Sequence, residues 1–336
     1  MPAQFRLGFL SHLHGTSPPH QLYRDYVELF VAAEELGFDS AWVAQHHFDA
    51  ASGRLPSPFT FLAAVAERTR RIHLGTAVVT LPLEDPVRVA EDAAVLDALS
   101  GGRVELGVGS GADPAVFAAF GKDLGRRRED NSAGVATLAA AFAGEPVGGT
   151  DFRLLPEAPG LGGRLWQAAF SLEGARYVGA AGSRLLLNRA TFGSAGRTDE
   201  VQAPWAEAYL ATLADLPRPA DEARIGLSRG VYPAATKRAA RAAIEAPVLR
   251  MAERMIKAGR FPAGLSAEEY FERMHISYGS PDEVAERLAT DRVLPLATDL
   301  IVQFSPAAPT LDEAIIALEL LATRVAPMLG WKPQPH

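Results

Sequence analysis

Short apolar runs alternate with amphipathic helical patterns along almost the whole 336-residue chain. Eight of the runs predict strands, and most are followed by apolar residues at helical spacing. Strands joined by helical crossovers are typical of parallel α/β proteins, and eight such units favour a (β/α)8 TIM barrel with insertions over an open sheet. The predicted strands are Phe5–Ser11, Ser40–Gln45, Ile72–Thr80, Arg103–Gly109, Arg164–Ala169, Arg184–Asn188, Glu222–Arg229 and Asp299–Phe304.

The whole chain, residues 1–336, is predicted to be one barrel domain. Two segments do not fit a minimal strand-helix unit and are predicted insertions. Residues 144–163 are rich in glycine and proline, and residues 258–279 place aromatic side chains between glycines and a proline. The second segment precedes the last strand, where either an active-site lid or a plain surface connector would lie.

Composition limits the classes of function. The chain has no cysteine, which excludes a disulfide framework, a thiolate nucleophile and cysteine-based metal sites, and favours a cytoplasmic location. A net charge of −7 gives no basic footprint for nucleic acid or an anionic membrane. No apolar run reaches the roughly 18 residues of a membrane span, and the N-terminal residues show no signal-peptide pattern.

Two adjacent histidines, His46 and His47, end the second predicted strand. Imidazole is the side chain that most readily exchanges a proton near neutral pH. Neighbours on a strand point to opposite faces, so at most one of the two faces a barrel lumen, which argues against a shared metal site. A histidine at a strand end is most often an ordinary polar residue, so the pair gains meaning only at a barrel mouth.

Other predicted strand ends carry small residues. Gly75–Pro82 either lets a flat ligand approach the backbone or reflects ordinary packing. Leu106–Gly111 lacks the third glycine and the acidic residue of a dinucleotide fingerprint, although its backbone N–H groups suit a phosphate. Ser171 predicts a helix N-cap, either a plain cap or part of a phosphate site. The cluster Arg126–Arg128 is either a solvated face or a source of one phosphate-binding guanidinium.

Together these motifs resemble the bacterial luciferase-like flavin monooxygenases. They occur in the family's order, and they are densest in the first third of the chain. After Gly111 the similarity thins, although Phe120-Gly121, the helix at Ser171 and the closing barrel unit still match. The matching stretches are Glu34–Asp39, Trp42–Phe48, Gly75–Pro82, Asp85–Asp92 and Leu96–Arg103.

The resemblance implies FMN at the C-terminal ends of the strands, where reduced flavin and O₂ oxidise a small organic substrate. It implies that His46 is the catalytic residue, acting as a base or stabilising the flavin hydroperoxide by hydrogen bonding. It also implies a homodimer. Because no NAD(P)H-binding motif is evident, a separate NAD(P)H:flavin reductase is an expected partner. The residues that the resemblance assigns to the cofactor are Thr76, Ala77, Val78, Gly109, Ser110, Gly111, Arg128, Ser171 and Gly174, with a non-proline cis peptide expected at Ala77-Val78.

Two positions depart from the family's pattern. Ser110 stands where luciferases have an arginine for the phosphate, and Gly109 stands where they have a reactive cysteine. We therefore expect a monooxygenase that does not emit light. The alternatives are a deazaflavin-dependent oxidoreductase that transfers hydride, and a flavin-binding protein without turnover. A metal hydrolase is disfavoured because histidines and carboxylates at the strand ends form no coherent ligand set.

Overall fold

The computed structural model describes residues 5–191, 196–216 and 223–333, which form a closed parallel barrel surrounded by helices. The predicted (β/α)8 TIM-barrel fold is confirmed. The strands are β1 Arg6–Ser11, β2 Ser40–Val43, β3 His73–Thr76, β4 Val79–Thr80, β5 Val104–Gly109, β6 Leu165–Ala169, β7 Arg184–Leu187, β8 Ile225–Pro233, β9 Ile276–Gly279 and β10 Asp299–Gln303.

The helices pack around the outside of the sheet. They are α1 Pro19–Glu35, α2 Pro58–Arg68, α3 Pro86–Ser100, α4 Pro114–Ala119, α5 Arg127–Phe142, α6 Pro159–Gly162, α7 Leu172–Ala180, α8 Thr198–Ala214, α9 Lys237–Lys257, α10 Ala267–Arg273, α11 Pro281–Ala289, α12 Leu311–Leu320 and α13 Ala326–Met328. Among the described residues, no helix is both long and apolar enough to cross a bilayer.

Local signals set the ends of the helices, as α3 illustrates. The carboxylate of Asp85 accepts a hydrogen bond from the backbone N–H of Val87 at 2.8 Å and so caps the first turn. Gly101 ends the helix in the left-handed conformation, with φ of 70°, which a glycine adopts without steric cost. Each helix of this kind returns the chain to the N-terminal end of the next strand.

The barrel closes between its first and last strands. Strand β10 pairs in parallel with β1 on one side and with β8 on the other, so the sheet has no free edge there. In this register Asp299 lies beside both Arg6 and Gly226. Because all of the pairings are parallel, the C-terminal ends of the strands open on one face, where barrel enzymes hold their active sites.

Two indole rings fill the barrel lumen. Trp42 on β2 and Trp166 on β6 meet edge to face, with ring centroids 5.5 Å apart. A Cβ atom on Gly75 would collide with the ring of Trp42, and one on Gly226 would lie 3.2 Å from that of Trp166. Glycine on one strand therefore makes room for tryptophan on another, and the lumen is a packed core rather than a pore.

A charged layer lies toward the N-terminal ends of the strands. Glu105 accepts hydrogen bonds from the indole Nε1 of Trp166 at 2.8 Å and from Arg184 at 2.7 Å, and it pairs with Arg6 at 3.2 Å. Burial raises the pKa of Glu105, but the neighbouring imidazole of His73 and the two guanidinium charges outweigh it and hold the pKa at about 2. The buried carboxylate therefore stays ionised.

Several strand boundaries differ from the sequence prediction. The third predicted strand is interrupted after Thr76 and resumes as β4 at Val79. The seventh was predicted over Glu222–Arg229, but β8 runs over Ile225–Pro233, and residue 222 lies outside the described residues. The strand continues beyond Arg229 because β9 pairs with its last four residues, Gly230 to Pro233.

Strand β9 was not predicted. It lies in the segment 258–279, which also contains α10, and its register runs from Ile276 beside Gly230 to Gly279 beside Pro233. A strand this short is stabilised mainly by its partner, and the sequence does not identify that partner. The description of 144–163 and 258–279 as insertions in a single domain stays a prediction.

Candidate active site

The two adjacent histidines lie just beyond β2, which ends at Val43, and their side chains diverge. Along β2 the side chain of Trp42 points into the lumen, and the same alternation carries His46 inward. The Nε2 atom of His46 lies 2.8 Å from Nδ1 of His12. His47 packs on the opposite side against Phe120, with ring centroids 4.9 Å apart, and its buried Nε2 has no hydrogen-bond partner among the described residues.

His46 belongs to a row of three imidazole rings. His12 lies between the other two, 5.0 Å from His46 and 5.4 Å from His14, with nearly parallel ring planes. Sequence reasoning placed His12 and His14 in a loop and gave them no role. A usable signal was the continuation of β1, since an inward-facing Leu10 puts His12 on the same face. The described residues contain no group of three or more potential ligands that could hold a metal ion.

These imidazoles are uncharged near neutral pH. Burial lowers the pKa of His46 to about 4, although the carboxylate of Asp49 acts in the opposite direction. Burial also lowers the pKa of His14 to about 4. The pKa of His12 falls well below its ordinary value because of burial and the neighbouring imidazoles. A neutral imidazole at the barrel mouth can accept a proton, which is the property that a general base needs.

Ala77 and Val78, which follow β3, form an apolar platform together with Ala168. The Ala77-Val78 peptide is cis, as predicted, and the N–H of Ala77 donates to the carbonyl of Val43 at 2.7 Å, which joins this strand end to β2. Ala77, Val78 and Ala168 are partly exposed and pack on the apolar cluster that contains both lumen indoles. Small, uncharged side chains over a rigid core fit the flat face of an aromatic cofactor.

The glycine-rich end of β5 packs closely against this platform. A Cβ atom on Gly109 would lie 2.7 Å from Val78, and one on Gly111 would lie 2.5 Å from Thr80. Thr76 is buried, and its Oγ1 donates to the carbonyl of Gly107 at 2.8 Å. Because the whole residue is 1% exposed, Thr76 offers almost no surface to a cofactor, and the small size of Gly109 serves packing against Val78. Ser110 is half-buried at the same strand end.

Two of the predicted phosphate contacts lie at helix starts on the same face of the barrel. Ser171 caps α7 by accepting a hydrogen bond from the N–H of Gly174 at 3.0 Å. Arg128 projects from the first turn of α5 and makes no ion pair or hydrogen bond with a described residue. The neighbouring Arg126 differs, because Glu129 and Asp130 each lie 3.5 Å from its guanidinium. The exposed guanidinium and the helix N-terminus suit an anionic group.

An aromatic rim borders the mouth. The ring of Phe48 is 80% exposed, its backbone has a φ of 61°, and it packs against Phe120 with centroids 5.8 Å apart. Such a backbone conformation is uncommon for a bulky residue and is typical of functional sites. Asp49, the next residue, pairs with Arg254 of α9 at 2.6 Å and ties that helix to the rim. Sequence reasoning assigned no role to these residues.

The model of the family described as luciferase-like monooxygenase matches residues 5–298. Among curated relatives, 4-hydroxyprotoasukamycin monooxygenase of Streptomyces nodosus subsp. asukaensis is 42% identical over 142 residues, which are 41% of this chain and 38% of that protein. An F420-dependent glucose-6-phosphate dehydrogenase of Amycolatopsis mediterranei is 42% identical over 103 residues, 30% of this chain and 31% of that protein. The matched segment thus spans less than two fifths of either relative.

Solved structures match over nearly the whole chain. Monooxygenase RslO1 from Streptomyces bottropensis superimposes with a TM-score of 0.80 at 25% identity, covering 97% of this chain and 100% of that chain. The oxygenating constituent of 3,6-diketocamphane monooxygenase from Pseudomonas putida, solved in complex with FMN, has a TM-score of 0.77 at 19% identity and covers 96% and 98%. At that lower identity the likeness concerns the fold alone.

Proposed function

We propose that this chain, which belongs to the luciferase-like monooxygenase family, uses reduced FMN and O₂ to oxidise a small organic substrate without emitting light. The observation that carries the proposal is the position of His46. Its neutral, lumen-facing imidazole stands at the barrel mouth, just beyond the end of β2, the neighbour of the strand that leads to the cis peptide Ala77-Val78.

Each part of the site has a chemical task in this proposal. Bound reduced FMN supplies the electrons for activating O₂. Ala77 and Val78 support the flat ring, and their small side chains keep polar groups away from it. His46 takes up a proton from the substrate, since its low pKa keeps it unprotonated at neutral pH. Phe48 and Phe120 form an apolar border that limits water at the mouth.

The phosphate of FMN is assigned to Arg128, to the N-terminus of α7 at Ser171 and Gly174, and to the backbone near Gly111. The free guanidinium of Arg128 supports this, because it compensates for Ser110 at the position where luciferases carry an arginine. A charge-assisted hydrogen bond contributes roughly 1.5–3 kcal/mol, equivalent to about 10- to 100-fold in affinity.

Two arginine variants test the phosphate site. We expect Arg128→Ala to weaken FMN binding at least about 10-fold but to leave riboflavin binding unchanged, because riboflavin has no phosphate. Arg126→Ala is the matched control, since this neighbouring guanidinium is already engaged by Glu129 and Asp130. Fluorescence titration measures both ligands. Equal FMN affinity in the wild type and Arg128→Ala would remove Arg128 from the site.

Cofactor identity and reaction class are tested together. Mass spectrometry identifies the cofactor retained after purification, and parallel titrations compare FMN with F420. Reduced FMN supplied by a flavin reductase is then combined with a panel of aldehydes, ketones and phenols under ¹⁸O₂, with His46→Asn as the inactive control. Exclusive binding of F420, the cofactor named for one relative, would replace the monooxygenase proposal with hydride transfer. Flavin binding without any labelled product would favour a binding protein.

We also propose a reductase partner and a homodimeric assembly. A separate NAD(P)H:flavin reductase would deliver the reduced cofactor, and light scattering tests the homodimer. Exposed Val95 and Leu99 on α3, together with an apolar groove between α1 and α2, are the surfaces to mutate first. A cytoplasmic location is likewise proposed from the absence of cysteine.

A further inference from the structure

A chain of hydrogen bonds leads from the far side of the barrel to His46. Nε2 of the Gln303 amide donates to Oγ of Ser228 at 2.7 Å, so its carbonyl Oε1 faces His12 at 3.1 Å from Nε2. The other ring nitrogen of His12, Nδ1, lies 2.8 Å from Nε2 of His46. Strands β8 and β10, the residue after β1 and a residue just beyond the end of β2 thus contribute to one line of polar atoms at the mouth.

With the Gln303 amide in this orientation, the order of donors and acceptors along the hydrogen bonds follows from its carbonyl end. An amide oxygen can only accept a hydrogen bond, so His12 must carry its proton on Nε2. A neutral imidazole has a single N–H, which leaves Nδ1 of His12 as an acceptor. His46 then has to donate from Nε2, and its own Nδ1 is left with a lone pair. That Nδ1 makes no hydrogen bond to a described residue and is not an enclosed atom.

We propose that His12, oriented by Gln303, is a positioning residue that selects the tautomer of His46 and thereby makes Nδ1 the atom that accepts the substrate's proton. The catalytic consequence depends on the proposed function, whereas the tautomer does not. If the amide of Gln303 were reversed, each proton along the chain would move to the other nitrogen. His46 would then offer an N–H at Nδ1 and could not act as a base there. The observed tautomer therefore favours the role of His46 as a base over the role of a hydrogen-bond donor at Nδ1.

Long-range contacts hold this line of hydrogen-bonded side chains rigid. Gln303 is 4% exposed and Ser228 is 7% exposed, so both are shielded from competing water. Gly53 packs against the His46 ring, and a Cβ atom at this position would lie 2.5 Å from Cδ2 of His46. The imidazole thus has little room to rotate out of line with His12. A ring that is buried on one edge and hydrogen-bonded through Nε2 presents the opposite edge to a ligand.

Nitrogen NMR of the cofactor-free protein measures the tautomer directly. Protein labelled with ¹⁵N in its histidine rings is compared with His12→Asn and His46→Asn, which assign the signals. We expect the wild type to show a protonated Nε2 and an unprotonated Nδ1 on His46 at pH 7. Gln303→Glu, which keeps an acceptor next to His12, should preserve this pattern, and Gln303→Leu should give a mixture of tautomers.

A matched control separates orientation from general loss of packing. Gln167 is also a buried glutamine, 2% exposed, and bonds to Ser183 on the outer side of β6 without touching the imidazoles. Gln167→Leu should therefore leave the His46 signals as in the wild type. A proton on Nδ1 of His46 in the wild type, or a pattern unchanged in Gln303→Leu, would overturn the proposal.

Steady-state kinetics then test the catalytic consequence of the His46 tautomer. Gln303→Leu should lower kcat about 10-fold with little change in KM, and Gln303→Glu should restore it. If the tautomer is as expected while His46→Asn oxidises substrate at the wild-type rate, the positioning chain stands and the catalytic role in the proposed function fails. If Gln303→Leu loses the tautomer but keeps full kcat, the assignment of Nδ1 as proton acceptor is wrong.

Discussion

The charged layer around Glu105 makes a quantitative prediction about stability. Glu105→Gln keeps the size of the side chain and removes its charge, so Arg184 loses its carboxylate partner while Arg6 keeps Asp299 at 3.1 Å. The carboxylate is 1% exposed, so solvent cannot replace it. Removing one member of a buried ion pair typically costs about 3–5 kcal/mol. We expect the variant to be folded but less stable by about 3 kcal/mol.

Linkage to pH gives an independent magnitude for the same charge. The pKa of Glu105 is about 2 in the folded protein, against an ordinary value of 4.5. At about 1.4 kcal/mol per pKa unit, this difference corresponds to about 3 kcal/mol. Because the folded pKa is the lower one, that stability is present above pH 4.5 and is lost as the pH falls toward 2.

Equilibrium urea unfolding, followed by tryptophan fluorescence between pH 7 and 3, measures both effects. Trp166 is bonded to Glu105 and should report the change directly. The wild type should lose stability more steeply than Glu105→Gln below pH 4.5, and the two should converge in acid. Glu145→Gln, at an exposed position, is the control. The reasoning would be refuted if Glu105→Gln lost less than about 1 kcal/mol of stability at pH 7. It would also be refuted if the wild type and the variant lost stability equally steeply below pH 4.5.

Two further changes test the lumen packing and the row of imidazoles. Gly75→Ala should destabilise the barrel by about 3 kcal/mol in urea unfolding, because its Cβ collides with the buried Trp42 ring. Gly162→Ala, where a Cβ meets nothing nearer than 3.8 Å, should cost far less, and equal losses would contradict the packing argument. His14 has a pKa lowered to about 4 by burial, so wild-type stability should decrease as pH falls from 6.5 to 4. His14→Asn should flatten that decrease, and an unchanged slope would exclude His14 as its source.

Local periodicity was sufficient to predict the barrel and to predict that at most one of the two histidines faces the lumen, and the family resemblance selected His46. The strand runs alternate with helices, and the period of two within a strand separates His46 from His47. The cis peptide at Ala77-Val78 was expected from the resemblance, and the structure agrees. The strand periodicity and the motif around the cis peptide are both local, since each lies within a few neighbouring residues.

The parts that escaped prediction depend on contacts between distant residues. Gln303 is 291 positions from His12, and Arg184 is 79 positions from Glu105. Nothing in the local composition of either residue indicates which strand ends will meet inside the lumen. Strand β9 was missed for the same reason, since it is defined by the end of β8. Barrel closure creates these pairs, so they become visible only when the register is known.

The two tryptophans that fill the lumen also constrain the order in which ligands bind and leave. Trp42 and Trp166 fill the lumen, and the ion pairs of Glu105 lie beyond them, so the strand-end face is the route of entry to His46. A ligand that binds deep against Ala77 and Val78 is then covered by any ligand that follows it. The last molecule to enter should be the first to leave, which predicts ordered binding and product inhibition that competes with the second substrate.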